Sequence, residues 1–260
     1  MKIYVEKPWV RRLISLLFLV TLWEALSRTG VIDPFYAPAP SEIFRVVMTL
    51  FFEGTIFSHL EATFTASLTG LVFGVALGII LGFAAALIPL VADVLEPIMM
   101  LLNAIPRVIL APLFVIWLGI ELPSKIALAV VLVAVLIFFA VYSGIKDVNQ
   151  LLVDRVRTLG GGRIVLLREV YIPSVTAWVL GSLKVAVGFA FTSACVGEFV
   201  TATRGLGYLL QFAQSTYNAA LTIGLILLIM VFVLLLFIGA EAVEQRLLRW
   251  RYRGPNPSKG

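Results

Sequence analysis

The sequence predicts an all-α, polytopic transmembrane helical bundle with six spans, and three observations lead to it. Of the 260 residues, 61% are hydrophobic and 13% are charged, against about 25% charged in a soluble domain, so the chain cannot clothe its surface for water. Long stretches carry no charge at all, as from Ala62 to Ala92 and between Lys125 and Lys146. Basic residues gather in three places: "KPWVRR" at 7–12, the stretch 154–173, and "EQRLLRWRYRG" at 244–254. Six spans put all three on one side, which the positive-inside rule makes the cytoplasm.

Span one is expected from Leu13 to Leu26, and with no small-residue cleavage site after it, it should stay as an anchor. Pro34, Pro38 and Pro40 then keep the chain extended. "SEIFRVVMTLFF" follows, with Ile43, Val46, Val47 and Leu50 at helical spacing, an amphipathic surface helix. Span two is expected over 62–92. Its Gly70, Gly74, Gly78 and Gly82 recur every four residues and mark one face, either for close helix packing or for lining a ligand. That face, with the absence of an internal repeat, suggests a pathway built from two identical chains.

Span three, 95–118, is interrupted by Asn103, Pro106, Arg107 and Pro112. Such residues belong at membrane depth only beside protein or a wet cavity; otherwise the segment is two short helices near an interface. Spans four, five and six are expected over 125–146, 174–196 and 221–240. The chain is then one domain, 1–260, with cytoplasmic ends at 1–12 and 241–260. The connections 28–61 and 199–220 lie outside, and a cytoplasmic loop covers 147–173.

That loop is the unusual part. Val148, Leu152, Val156 and Leu159 form a helical apolar stripe. Gly160, Gly161 and Gly162 end the helix and allow a reversal, with hinge duty shared so that Gly161 or Gly162 tolerates change. Ile164, Leu167 and Tyr171 repeat the stripe until Pro173 starts the next membrane helix. Periodicity alone does not separate a docking element from a helix lying on anionic lipid through Arg155, Arg157, Arg163 and Arg168.

The spacing from Gly160 across nine residues to Val170-Tyr171-Ile172-Pro173 resembles the loop of the permease subunits of binding-protein-dependent ABC importers. The Glu-Ala-Ala of that pattern is replaced by Asp154-Arg155-Val156, which keeps only the acid. "LWEALSRTGVIDPFYAPAPSEIF", "IPRVILAPLFVIWLGIELPSKI" and "GEFVTATRGLGYLL" are similar to blocks of the nitrate, sulfonate and taurine branch. The resemblance runs from about Leu22 to the sixth span. It implies a type I importer permease that works with a second permease copy, two cytosolic ATPases and an extracytoplasmic binding protein. Asp154, Arg155, Val156, Gly160, Val170, Ile172 and Pro173 would then couple to the ATPases. The solute would be a small anion or a heterocyclic precursor.

No G-x-x-x-x-G-K-[ST] occurs in the sequence, so ATP and Mg²⁺ are expected on the partner ATPase and no cofactor on this chain. The single cysteine, Cys195, excludes an internal disulfide and reads as a small packing residue, and the lone His59 leaves no zinc triad. Nucleic acid is not expected as a partner, because the net charge of +5 is accounted for by cytoplasmic basic clusters. An ion-coupled carrier would need several intramembrane carboxylates, yet only Glu24 and Glu198 lie in or near spans, both close to an interface. A hydrolase would need a nucleophile with its base. Three residues are candidates for the substrate pathway. Asn103 and Glu198 are polar groups within or beside spans, and Asn103 reads first as interhelical glue and second as a substrate ligand. Lys184, deep in span five, pairs with a neighbouring helix, snorkels, or meets an anionic substrate.

Overall fold

The computed structural model describes residues 8–247, and every regular element among them is helical. Parts of both predicted cytoplasmic ends, within 1–12 and 241–260, lie outside the described residues. Helix α1 (Pro8–Arg28) meets α2 (Pro40–Phe52), whose Pro40 presets the first turn. The predicted amphipathic face of α2 is real but packs on protein rather than lying free. Ile43 is buried, and Val47 and Ile43 sit where a Cβ on Gly224 would fall. Glu24 of α1 accepts from the Ser41 backbone N–H at 3.0 Å and the Ser41 hydroxyl at 2.7 Å. A carboxylate borrowed from the preceding helix thus caps α2.

The core is α3 (Thr55–Leu87) against α6 (Leu122–Lys146) and α9 (Ile172–Val200). The glycine face decides how closely α3 and α6 approach. A Cβ on Gly70, Gly74, Gly78 or Gly82 would fall 2.4–2.7 Å from Ala129, Val133, Ala134 or Val141. The face is therefore spent on packing within the chain, the first of its two readings, and lends no support to a second copy. Val133, Ile137 and Val141 of α6 complete this core with Val175, Ala186 and Ala190 of α9.

Span two starts earlier and stops sooner than expected, because α3 takes in His59 and Glu61 and Pro89 ends it. Ile88, before that proline, is extended at φ −125°, ψ 105°. Helix α4 (Pro89–Ala104) then turns by about 110° into α5 (Arg107–Leu118), so the predicted single span over 95–118 is a bent pair broken at Ile105 and Pro106. Among the described residues four helical segments are long and apolar enough to cross a membrane: Thr55–Leu87, Leu122–Lys146, Arg163–Val200 and Ala219–Arg246; counting the bent pair as one span makes five. A short α10 (Leu206–Ser215) leads into α11 (Ala219–Leu247).

Candidate functional site: the loop and the opposite end of the bundle

The loop 147–173 folds as a compact corner. Asn149 caps α7 (Gln150–Thr158) by accepting from the Leu151 N–H at 2.9 Å. At its other end Gly160 takes φ +80°, its N–H bonds to the Arg157 carbonyl at 2.9 Å, and the Gly161 N–H reaches the Val156 carbonyl at 2.8 Å. This is a Schellman cap. A Cβ on Gly161 would lie 2.5 Å from Val156 Cγ1 and 2.8 Å from that same carbonyl, whereas Gly160 and Gly162 have open space. The glycines therefore do not share duty: Gly160 supplies the conformation, Gly161 the clearance, and Gly162 neither.

After the turn, α8 (Arg163–Leu166) passes through a π-helical turn, Leu167–Tyr171, straight into α9. Pro173 therefore sits in the first turn of a helix that is already running. The predicted stripe also needs correction. The buried cluster is Val148, Val153, Leu166 and Val170, with Val156 and Tyr171 against it. Leu152 (46% exposed), Leu159 (87%) and Ile164 (81%) face outward. The periodicity from Val148 to Leu152 ran across the helix start at Asn149, where register is lost. Of the seven predicted coupling residues, Val170 is buried and Val156 half-buried, while Asp154, Arg155, Gly160, Ile172 and Pro173 are exposed.

The substrate-pathway candidates are not brought together. Asn103 is exposed on α4. Lys184 pairs with Glu241 of α11 at 2.8 Å, with both side chains about half-exposed, which is the interhelical pairing among its three alternatives. Glu198 lies 14 residues beyond Lys184 on α9, about 21 Å along the axis at 1.5 Å per residue. It is buried, 3% exposed.

Glu198 belongs to a polar knot that the sequence reading missed. The first turn of α10 has N–H groups without intrahelical partners. Gly205 N–H donates to His59 Nδ1 at 3.0 Å, Leu206 N–H to Thr63 Oγ1 at 2.9 Å, and Gly207 N–H to Glu198 Oε2 at 3.0 Å. The Thr63 hydroxyl donates to Glu198 Oε2 at 2.8 Å. The His59 ring also stacks on Tyr208, with centroids 5.8 Å apart. Beside this knot Lys125 is 3% exposed and donates to the Ile120 carbonyl. Thr63 and His59 stand seven and eleven residues before Gly70, on the helix face that carries the glycines of α3, a signal present in the sequence. In the sequence Lys125 marks only the start of a charge-free run.

Nothing in these groups forms a nucleophile with its base, and no cluster of metal-ligating side chains occurs among the described residues. What the geometry offers is a folded loop at one end of α6 and α9 and a polar knot at the other. Residues 74–249 match the family described as "Binding-protein-dependent transport system inner membrane component". The chain belongs to this family. The taurine transport system permease protein TauC of Escherichia coli (strain K12) is 30% identical over 91% of this chain and 88% of its own length. The formylaminopyrimidine transport permease protein ThiX of Halalkalibacterium halodurans is 30% identical over 90% and 93%. Among solved structures, an amino acid ABC transporter crystallised with histidines superposes with a TM-score of 0.64 at 15% identity, covering 77% of this chain and 97% of that one. The MetNI methionine ABC transporter, in an inward-facing conformation, gives 0.58 at 20% identity, covering 76% and 96%. This binding-protein-dependent permease is thus a multi-pass membrane subunit of an ABC importer, with a helical fold shared across those transporters.

Proposed function

We propose that two copies of this permease form the pathway of an importer in which the loop 147–173 docks on cytosolic ATPases and a binding protein delivers solute to the opposite end. The observation that carries this is the loop itself: a Schellman-capped corner with its own small core and with Leu152, Leu159 and Ile164 turned outward. Apolar side chains on an outward face, flanked by Asp154 and Arg155, suit a protein groove better than a headgroup layer. ATP and Mg²⁺ belong to the ATPases. Closure of the ATPase pair would push the loop, and α6 and α9 would rock with it, giving alternating access by rigid-body motion.

The solute is a small anion or a heterocyclic compound. Supporting this are relatives named for taurine, formylaminopyrimidine and aliphatic sulfonates. The proposed topology has six spans in an inner membrane: α1, α3, the bent pair α4–α5, α6, α9 and α11, with both termini cytoplasmic. Helix α1, 21 residues long, reaches about 31 Å, the thickness of a hydrocarbon core, although Arg11, Arg12, Glu24 and Arg28 lie within it.

Reporter fusions test this arrangement. A fusion after Tyr36 should report the extracytoplasmic side and one after Leu159 the cytoplasm. The same side for both would refute the topology and with it the assignment of the loop.

A further inference from the structure

At the end of the bundle away from the loop, a lysine and a glutamate are buried on facing helices without a direct ion pair. Lys125 stands one turn into α6 and Glu198 near the end of α9; each is 3% exposed and each lies in the other's field. Both line a cavity of about 20 Å³ together with Ile120, Glu121, Thr203 and Arg204, room for about one water. Glu198 uses Oε2 for Thr63 and Gly207. Lys125 has one bond, to the Ile120 carbonyl in the turn between α5 and α6, which leaves two of its three protons for other acceptors. A buried ammonium with a single backbone acceptor is costly unless a counter-charge is at hand; Glu198 and, more weakly, Glu121 act on Lys125, and of the two only Glu198 is buried.

We propose that Lys125 and Glu198 form a charge latch that holds the turn between α5 and α6 against the corner leading into α10, keeping this mouth of the pathway closed until the ATPases drive it open. The positions fit a lever. Both charges stand at the ends of α6 and α9 remote from the loop, about 32 Å and 39 Å along the helices from Lys146 and Ile172. A change of angle between the two helices made at the loop is therefore read out as a change in the gap between Lys125 and Glu198. Gly197 allows the approach, since its Cβ position is 3.2 Å from Lys125 Cγ. Through Glu198 the latch also reaches the first turn of α10, so that α10 moves with α9. By reciprocity of coupled sites, loosening the latch must favour the ATPase state that accompanies an open mouth.

The inference rests on the importer reading and on the side assigned to this end. The test uses the whole complex with its ATPase subunits in nanodiscs, comparing Lys125→Met, Glu198→Gln and the double variant with the unaltered chain. Each single change should lower the Tm, and the double should lose clearly less than the sum, because it leaves no unpaired buried charge. ATP hydrolysis without binding protein should rise severalfold in every variant that assembles, because a loosened latch leaves more of the complex in the ATPase state that accompanies an open mouth. Should the single variants fail to assemble, the double should assemble and carry the same rise. Additive Tm losses, unchanged hydrolysis, or a double variant as poorly assembled as the singles would each overturn the latch. If the importer reading itself is wrong, the unaltered complex shows no substrate-dependent hydrolysis, a result separate from all of these.

Discussion

Gly78→Val is expected to remove most of the folded protein recovered from membranes. Its Cβ would fall 2.7 Å from the Ala134 carbonyl oxygen and 2.7 Å from Ile137 Cβ, so the obstacle includes backbone that no rotamer change relieves. Helices α3 and α6 must separate, and separation strips contacts along the core formed by Val133, Ile137 and Val141. Overpacking at one site commonly costs about 1–3 kcal/mol, and a glycine ladder concentrates that cost because its rungs share one seam. Gly74→Val, 2.6 Å from Val133 Cβ, should behave alike. Gly239→Val on α11 is the control, because nothing lies within 4 Å of its Cβ position. Size-exclusion profiles and melting curves in detergent should place the α3 variants well below the control. A monodisperse Gly78→Val protein with an unchanged Tm would show that the seam is not as described.

Gly161→Val is expected to detach the ATPases while leaving the protein in the membrane. The new side chain meets Val156 Cγ1 at 2.5 Å and the carbonyl that receives the Gly161 N–H at 2.8 Å, so the Schellman cap cannot close. Gly160→Val should be the next most damaging. Its site is open, but φ +80° costs an L residue about 1–2 kcal/mol, more for a β-branched one. Gly162→Val, with open space and φ −78°, should be tolerated. Asp154→Ala, at an exposed side chain, should be mild. Co-purification of ATPase, with membrane level as the control, gives the order. ATPase binding retained in Gly161→Val would contradict a docking role for this turn.

The sequence carried the class of fold well, because charge-free runs and basic clusters are imposed by lipid and leave little alternative. It carried the spans less well where proline acts through its neighbour. Ile88 before Pro89 and Ile105 before Pro106 are forced to extended backbone, which divided the charge-free run 62–92 and bent the segment 95–118. Spacing alone could give α3 a glycine face but not its partner, and Ala129, Val133 and Val141 turned out to belong to the same chain. In the loop, the Gly160 turn was legible from a positive-φ requirement, whereas the clearance at Gly161 depends on where the Val156 side chain points. The stripe failed at Asn149, where a new helix starts and resets the register. The polar knot was half legible: His59 and Thr63 share the face of the glycine ladder, but Gly207 lies 144 residues beyond Thr63, and no local pattern connects them.

The central claim is that the outward face of the loop meets an ATPase. A photoreactive residue placed at Leu159, 87% exposed at the turn, tests it most directly. After illumination of native membranes containing the ATPase, the account predicts an adduct with the mass of one permease chain plus one ATPase subunit, lost when Gly161 is changed to valine. Adducts with lipid alone, in membranes where the ATPase is present, would contradict it.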